Sequence, residues 1–287
     1  MNDILEKITF FIVCYKSAYI IDFCLRSLPK ESKKIIIDNT NNEVLKKDIE
    51  GKYNNLEIIL NKNNGYGSAA NLAISKIETE YAFLLNPDVA LLGDTINNLN
   101  NAIEKLKGNF SILTPELFLG VKEDYKKKIF DEKTNIIEVN DIKGCAIFFN
   151  LKKISLKPFF DENIFLYHEE TDLCQRINKS GGKIYHVKTA EVIHLGKVST
   201  RREIALELLT EWHFYWSLYY YHMKHFGKFA AIKKTIPKMI GLFSEIFFSV
   251  LFFRKKKFLF AKYKLSGLIN SIKKKPSWLR HENIKLK

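Results

Sequence analysis

The chain has 287 residues, 46% hydrophobic and 27% charged, a balance normal for a folded globular protein. Its formal charge of +14 is lopsided: residues 1–200 hold 27 Lys and Arg against 27 Asp and Glu, and residues 201–287 hold 19 against 5. That excludes a uniformly basic polyanion binder and assigns the surplus to the last 87 residues, which are expected to meet a different partner from the neutral front.

The first elements alternate. The run ITFFIVCY, residues 8–15, is continuously apolar and rich in β-formers, the pattern of a strand buried on both faces. Apolar residues at Ile20, Ile21, Cys24, Leu25 and Leu28 then recur at helical spacing. KKIIIDNT predicts a second strand ending at Asp38-Asn39, and LEIIL a third running into NKNNGYG. SAANLAISKI predicts a helix and YAFLLNPDV a fourth strand. Strands alternating with helices predict an α/β fold with a parallel, doubly wound sheet.

The strand ends share a chemistry. Tyr15-Lys16, Asp38-Asn39, Asn63-Asn64-Gly65 and Asn86-Pro87-Asp88 each close an apolar run. In a parallel sheet these carboxyl ends lie along one edge, where ligands bind. One polar cluster is a turn; four in succession predict a site. The NNGYG glycines fit neither G-x-G-x-x-G nor a P-loop, so Gly65 and Gly67 are expected to let backbone approach a ligand.

Residues 93–140 show little pattern, and the Lys126-Lys127-Lys128 run there reads as a solvated loop. IKGCAIFFN then predicts a further strand entered through Gly144. Downstream, Glu169, Glu170 and Asp172 place three carboxylates within four residues, ahead of a helix TDLCQRINKS stopped by Gly181-Gly182. Preference for acids at a helix start accounts for Thr171 and Asp172. Glu169 and Glu170 follow the apolar IFLY, which would pin them at a pocket wall where desolvation tunes a general base. His194, beside Gly196, ends a short strand. The cysteines, Cys14, Cys24, Cys145 and Cys174, have no CxxC or zinc spacing, and with no leader-like N-terminus a reducing, cytoplasmic setting is expected.

Taken in order, FFIVCYKS, IIIDNT, NKNNGYGSAANLAI, YAFLLNPDV, IKGCAIFFN, FFDENIFLYHEETDLCQRI and VIHLGKVST resemble glycosyltransferase family 2, most closely its bacterial rhamnosyltransferases of O-antigen and cell-wall polysaccharide assembly. The likeness runs over roughly residues 8 to 226. It implies a GT-A fold, a nucleotide-sugar donor, Mg²⁺ or Mn²⁺, and inversion at the anomeric carbon. By position, Asn86-Pro87-Asp88 matches the D-x-D motif, with Asp88 a metal ligand and His194 near the metal and diphosphate. Asp38 matches the acid that contacts the nucleoside, Tyr15, Asn64, Gly65 and Gly67 line the same pocket, and Asn71 and Asn86 fall on donor-site positions. Glu170 matches the base that deprotonates the acceptor hydroxyl, with Glu169 its alternative. Cys14 and Lys16 stand where the family often has Asn, Glu170 where Asp is usual, and Asn86 where an acid is usual. The donor implied is dTDP-rhamnose; a UDP-sugar donor or a catalytically silent assembly subunit are the alternatives.

The expected organisation is a catalytic domain over residues 1–200 and an aromatic, basic, helical region over 201–287. Met239 to Phe253 carries one charge in fifteen residues, short of the ~20 that span a bilayer. Bounded by Lys238 and Arg254–Lys257, it either covers the core or lies in a membrane interface. The second is favoured, with an anionic inner membrane surface and a glycan or polyprenyl-linked glycan acceptor as partners. No nucleic-acid-binding motif is present, so no nucleic-acid partner is expected.

Overall fold

A computed structural model describes residues 2–118, 127–131, 135–196, 198–200 and 203–284. The chain forms two compact units, one of residues 1–161 with 170–201, the other of residues 162–169 with 202–287. The short stretch 162–169 thus groups with the C-terminal helices.

In the first unit, a short helix α1 (Asn2–Glu6) precedes strand β1 (Ile8–Cys14), every residue of which is buried. Helix α2 (Ile21–Leu25), β2 (Lys33–Asp38), α3 (Glu43–Glu50), β3 (Leu56–Leu60), α4 (Tyr66–Ile74) and β4 (Tyr81–Leu85) follow. β3-β2-β1-β4 is the parallel part of the sheet. Its two faces are packed separately, Phe10, Ile12, Phe83 and Leu85 on one side and Phe11, Val13, Ala82 and Leu84 on the other. Buried faces on both sides are why these strands read as unbroken apolar runs.

Beyond β4 the sheet is mixed. Strand β5 (Val89–Leu91), helix α5 (Thr95–Lys105), β6 (Ile112–Phe118), β7 (Lys127–Asp131), β8 (Ile136–Val139), β9 (Ala146–Asn150), helix α6 (Glu169–Lys179) and β10 (Ile184–His194) complete it. β9 lies antiparallel between β4 and β6, and β10 pairs with β6 in parallel and with β5 and β8 antiparallel. The stretch 93–140 therefore carries regular structure that the sequence did not reveal. Lys127 and Lys128 belong to β7 rather than to a solvated loop, and Lys126 lies outside the described residues. α6 starts at Glu169, two residues before the predicted helix start, and Gly181 at φ +81° ends it as expected. All four cysteines are free and buried, and burial pushes the Cys14 and Cys24 thiols well up, so neither is a reactive thiolate.

The second unit is built on helices α7 (Ile204–Leu251) and α8 (Lys255–Ile272), with α7 broken at Gly227, whose φ of +82° is non-helical. Trp212, Trp216 and His213 are buried in it. The Trp212 indole donates to Ser266 Oγ at 3.2 Å and that of Trp216 to the Lys275 carbonyl at 3.0 Å. Phe165 stacks on the His213 ring, and Ser217 Oγ donates to the Leu166 carbonyl, which is how residues 162–169 are tied in. At Gly267 a Cβ would clash with the Trp212 carbonyl oxygen, so the α7–α8 crossing requires glycine. Gly267→Ala is expected to lower stability by about 3 kcal/mol, the upper range of overpacking, read as a lower midpoint in urea.

Candidate active site

Side chains of the first unit converge at the carboxyl ends of β1, β2, β4 and β10. β5 follows Asn86-Pro87-Asp88 directly and pairs antiparallel with the end of β10, setting His194 opposite Val89. The Leu195 amide donates to the Asp88 carbonyl at 3.1 Å, which ties the two segments one residue further. The Asp88 carboxylate then lies 3.6 Å from His194 Nε2. Asp88 is fully buried, and neither of its oxygens has a hydrogen-bond partner among the described residues. A buried, desolvated carboxylate normally has such partners, and its absence costs energy unless a cation takes their place.

That geometry fits a hard divalent cation. Mg²⁺ and Mn²⁺ are commonly held by one or two protein ligands together with substrate phosphate oxygens. No group of three or more His, Cys, Asp or Glu side chains suited to a metal occurs among the described residues, so Asp88 and His194 would need ligand oxygens to complete a shell. Asn86 does not join them: its Oδ1 accepts from the Tyr66 hydroxyl at 2.9 Å. The Tyr66 hydroxyl also lies 3.4 Å from the Gly144 carbonyl, so this tyrosine bridges the end of β4 and the entry to β9.

The other predicted donor-side residues divide into those that face outward and those drawn into the framework. Tyr15 is half-buried and Asn64 exposed, at the ends of β1 and β3. Gly65 and Gly67 are buried at the start of α4, and Gly65 has φ 114° and ψ 164°, a region for glycine alone. Gly65→Ala is expected to cost about 1–3 kcal/mol, read as a lower midpoint in urea. Asp38 is fully buried; it accepts from the Thr40 amide at 3.0 Å and the Asn42 amide at 2.8 Å. Its two oxygens hold the turn after β2, and each keeps a lone pair beyond these amides. Asn71 is similarly committed, donating to the Phe160 carbonyl and accepting from the Phe160 amide, each at 2.9 Å. Asp172 is buried and paired with Arg176 at 2.7 Å, and Arg176 also donates to the Pro158 and Phe159 carbonyls, so this acid secures the loop before α6.

Glu169 and Glu170 open α6. Tyr167 and His168 before them both have positive φ, 66° and 68°, a tight reversal that delivers the two acids into the first helical turn. Glu169 is buried and Glu170 half-buried. Burial, above all, raises the Glu170 carboxyl to a pKa of about 7; Asp141 pushes it up further, while Lys143 and backbone amides of the first turn pull it down. A carboxylate poised there can take a proton near neutrality. Asp141 and Lys143 are charged neighbours that the sequence did not single out: Lys143 adjoins Gly144, and Asp141 stands just before the IKGCAIFFN run.

A last segment closes this edge. The Tyr19 hydroxyl donates to the Val198 carbonyl, and Thr200 Oγ1 donates to the Tyr15 carbonyl at 3.1 Å. Residues 198–200 are thereby held against the loop that follows β1.

Known proteins resemble this chain in sequence and in fold. A curated relative, the rhamnosyltransferase WbbL of Escherichia coli K12, is 23% identical over 237 residues, covering 72% of this chain and 85% of its own. Among solved structures, GalNAc-T7 with UDP, GalNAc and Mn²⁺ superposes with a TM-score of 0.56 at 15% identity, over 66% of this chain and 43% of that one. S. aureus TarS residues 1–349 with UDP-GlcNAc superposes at 0.51 and 13% identity, over 94% and 92%. The fold is GT-A, as the sequence resemblance implied. The profile of glycosyl transferase family 2 matches residues 9–176, well over half of the sequence, and the chain belongs to that family.

Proposed function

We propose that this glycosyltransferase is inverting and metal-dependent, moving rhamnose from dTDP-rhamnose to a hydroxyl of a glycan or lipid-linked glycan in surface polysaccharide synthesis. The observation that carries the chemistry is the buried Asp88 carboxylate, without a hydrogen-bond partner among the described residues and 3.6 Å from His194. The Glu170 carboxyl, with its pKa near 7, supplies a base in the same unit. The WbbL likeness supports the donor sugar.

Asp88 and His194 would hold Mg²⁺ or Mn²⁺, which when bound offsets the charge that grows on the departing diphosphate. Tyr15, Asp38, Asn71 and Asn86 stand on the nucleotide-sugar side with the backbone at Asn64, Gly65 and Gly67, and hydrogen bonds of Asp38, Asn71 and Asn86 also keep the surrounding turns in place. Glu170 accepts the proton of the acceptor hydroxyl as its oxygen bonds to the anomeric carbon, and the bond to the diphosphate breaks on the opposite face. One base and a direct displacement invert the configuration. The C-terminal region works at an anionic membrane surface on the cytoplasmic side, where a polyprenyl-linked acceptor is presented.

The test is a thermal-shift screen of nucleotide sugars with and without Mn²⁺, followed by transfer assays with the stabilising donor. Stabilisation by dTDP-rhamnose that needs Mn²⁺, with Glu170-dependent transfer, is the expected result. A UDP-sugar that stabilises instead reassigns the donor, and no stabilisation by any nucleotide sugar overturns the proposal.

A further inference from the structure

The second unit leaves an unusual surface uncovered. Between Gly227 and Leu251, the face of α7 packed inward consists of Ala231, Thr235, Leu242 and Ser249, with Met239 and Ile246 partly buried beside them. This is a modest stripe, with two hydroxyl residues in it. The larger apolar side chains lie elsewhere on the helix. Phe229, Ile236, Ile240, Phe243, Phe247 and Val250 are 82%, 46%, 65%, 52%, 64% and 59% exposed. Their spacings of seven, four, three, four and three residues put them on one face, about 30 Å long at 1.5 Å per residue.

That stripe ends in the turn between α7 and α8, where Phe252 is 57% and Phe253 89% exposed. Arg254, Lys255, Lys256 and Lys257 follow at once and are all exposed. The Arg254 guanidinium lies 5.5 Å from the Phe252 ring centre and the Lys256 ammonium 5.6 Å from that of Phe260. Over residues 224–275 the sequence has 14 Lys and Arg and a single acid, Glu245. A soluble surface seldom exposes so much contiguous apolar side chain without an occupant.

Resting on the membrane-surface reading above, and deepening it, we propose that this α7 stripe and the Phe252-Phe253 tip are the inserting surface, docked on an anionic lipid bilayer. Charge decides the occupant. A bilayer with anionic headgroups complements the Arg254–Lys257 cluster and the lysines flanking the stripe, and its interface accepts aromatic rings. A second copy of this chain would bring a like cluster against the first, since a two-fold contact apposes the same patch. No described helix is long and apolar enough to cross a membrane, so the surface lies in the interface with its cations at headgroup level.

The test uses the whole protein and vesicles of phosphatidylcholine alone or with phosphatidylglycerol. Co-sedimentation is expected only with the anionic vesicles, and should weaken as salt rises. Phe247→Ser with Phe253→Ser alters exposed side chains alone, as does reversal of Lys255, Lys256 and Lys257 to Glu; each set should weaken binding at least about tenfold. Sedimentation velocity without lipid should show a monomer. Binding to neither vesicle, or a concentration-dependent dimer abolished by the same substitutions, overturns the docking surface. Neither outcome touches the transfer chemistry, which nucleotide-sugar stabilisation reads separately.

Discussion

Glu170→Gln is expected to lower sugar transfer about 10²–10⁴-fold, the range for removing a positioned general base. Donor binding should persist, because the role proposed for this residue is toward the acceptor hydroxyl. In the unsubstituted protein the rate should fall tenfold per pH unit below about 7, as the Glu170 carboxylate becomes protonated. The same substitution should move stability the other way. Burial raises this carboxyl's pKa, so the folded chain keeps a proton that the unfolded chain releases. The stability it contributes is complete below about 4.5 and is lost as pH rises through about 7. Glutamine cannot ionise, so at pH 8 the variant should be more stable by about 3 kcal/mol, or roughly 6 °C in midpoint. At pH 4.5 the two should melt together. Undiminished transfer, or a rate with no acid limb, would remove Glu170 from the mechanism.

The second large effect belongs to Asp88→Asn, which keeps shape and removes charge. With nucleoside diphosphate and Mn²⁺ at about a hundred times Kd, the unsubstituted protein should gain about 2.7 kcal/mol. The variant should gain little from Mn²⁺ and lose transfer by at least about a thousandfold, because an amide neither matches a carboxylate for a hard cation nor offsets its charge. Without ligand the variant should be no less stable, since it removes a desolvated charge that has no hydrogen-bond partner among the described residues. Equal Mn²⁺-dependent stabilisation in both proteins would show that Asp88 is not the ligand.

Much of the first unit is legible from sequence because strands packed on both faces leave long apolar runs, as in β1 and β4. The misses have local causes. α5 contains four asparagines in eleven residues, poor helix formers that mask the stripe of Ile96, Leu99, Ala102 and Ile103. β6 contains Pro115, which ordinarily argues against a strand. β5 is three residues long, too short for any period, yet it brings Asp88 to His194. In the candidate site, residue types at strand ends do not show what each side chain does. Asp38 and Asn71 face backbone groups supplied by neighbouring turns, and no linear pattern announces that Phe160 will be the partner of Asn71. The raised pKa of Glu170 depends on burial and on Asp141, twenty-nine residues earlier, which only folding brings near.

The pairing of β10 with β6 shifts between Val187 and Glu191, leaving residues 188–190 as an insertion not paired with β6, two of them exposed. Side chains alternate along a strand, so the length of this bulge sets which face the residues beyond it present. Removing one of the three would carry His194 out of register with Val89, and so away from Asp88. Every motif residue would still be present. A homologue shortened by one residue here would be inactive through geometry alone, and a survey by residue identity would count it as an enzyme.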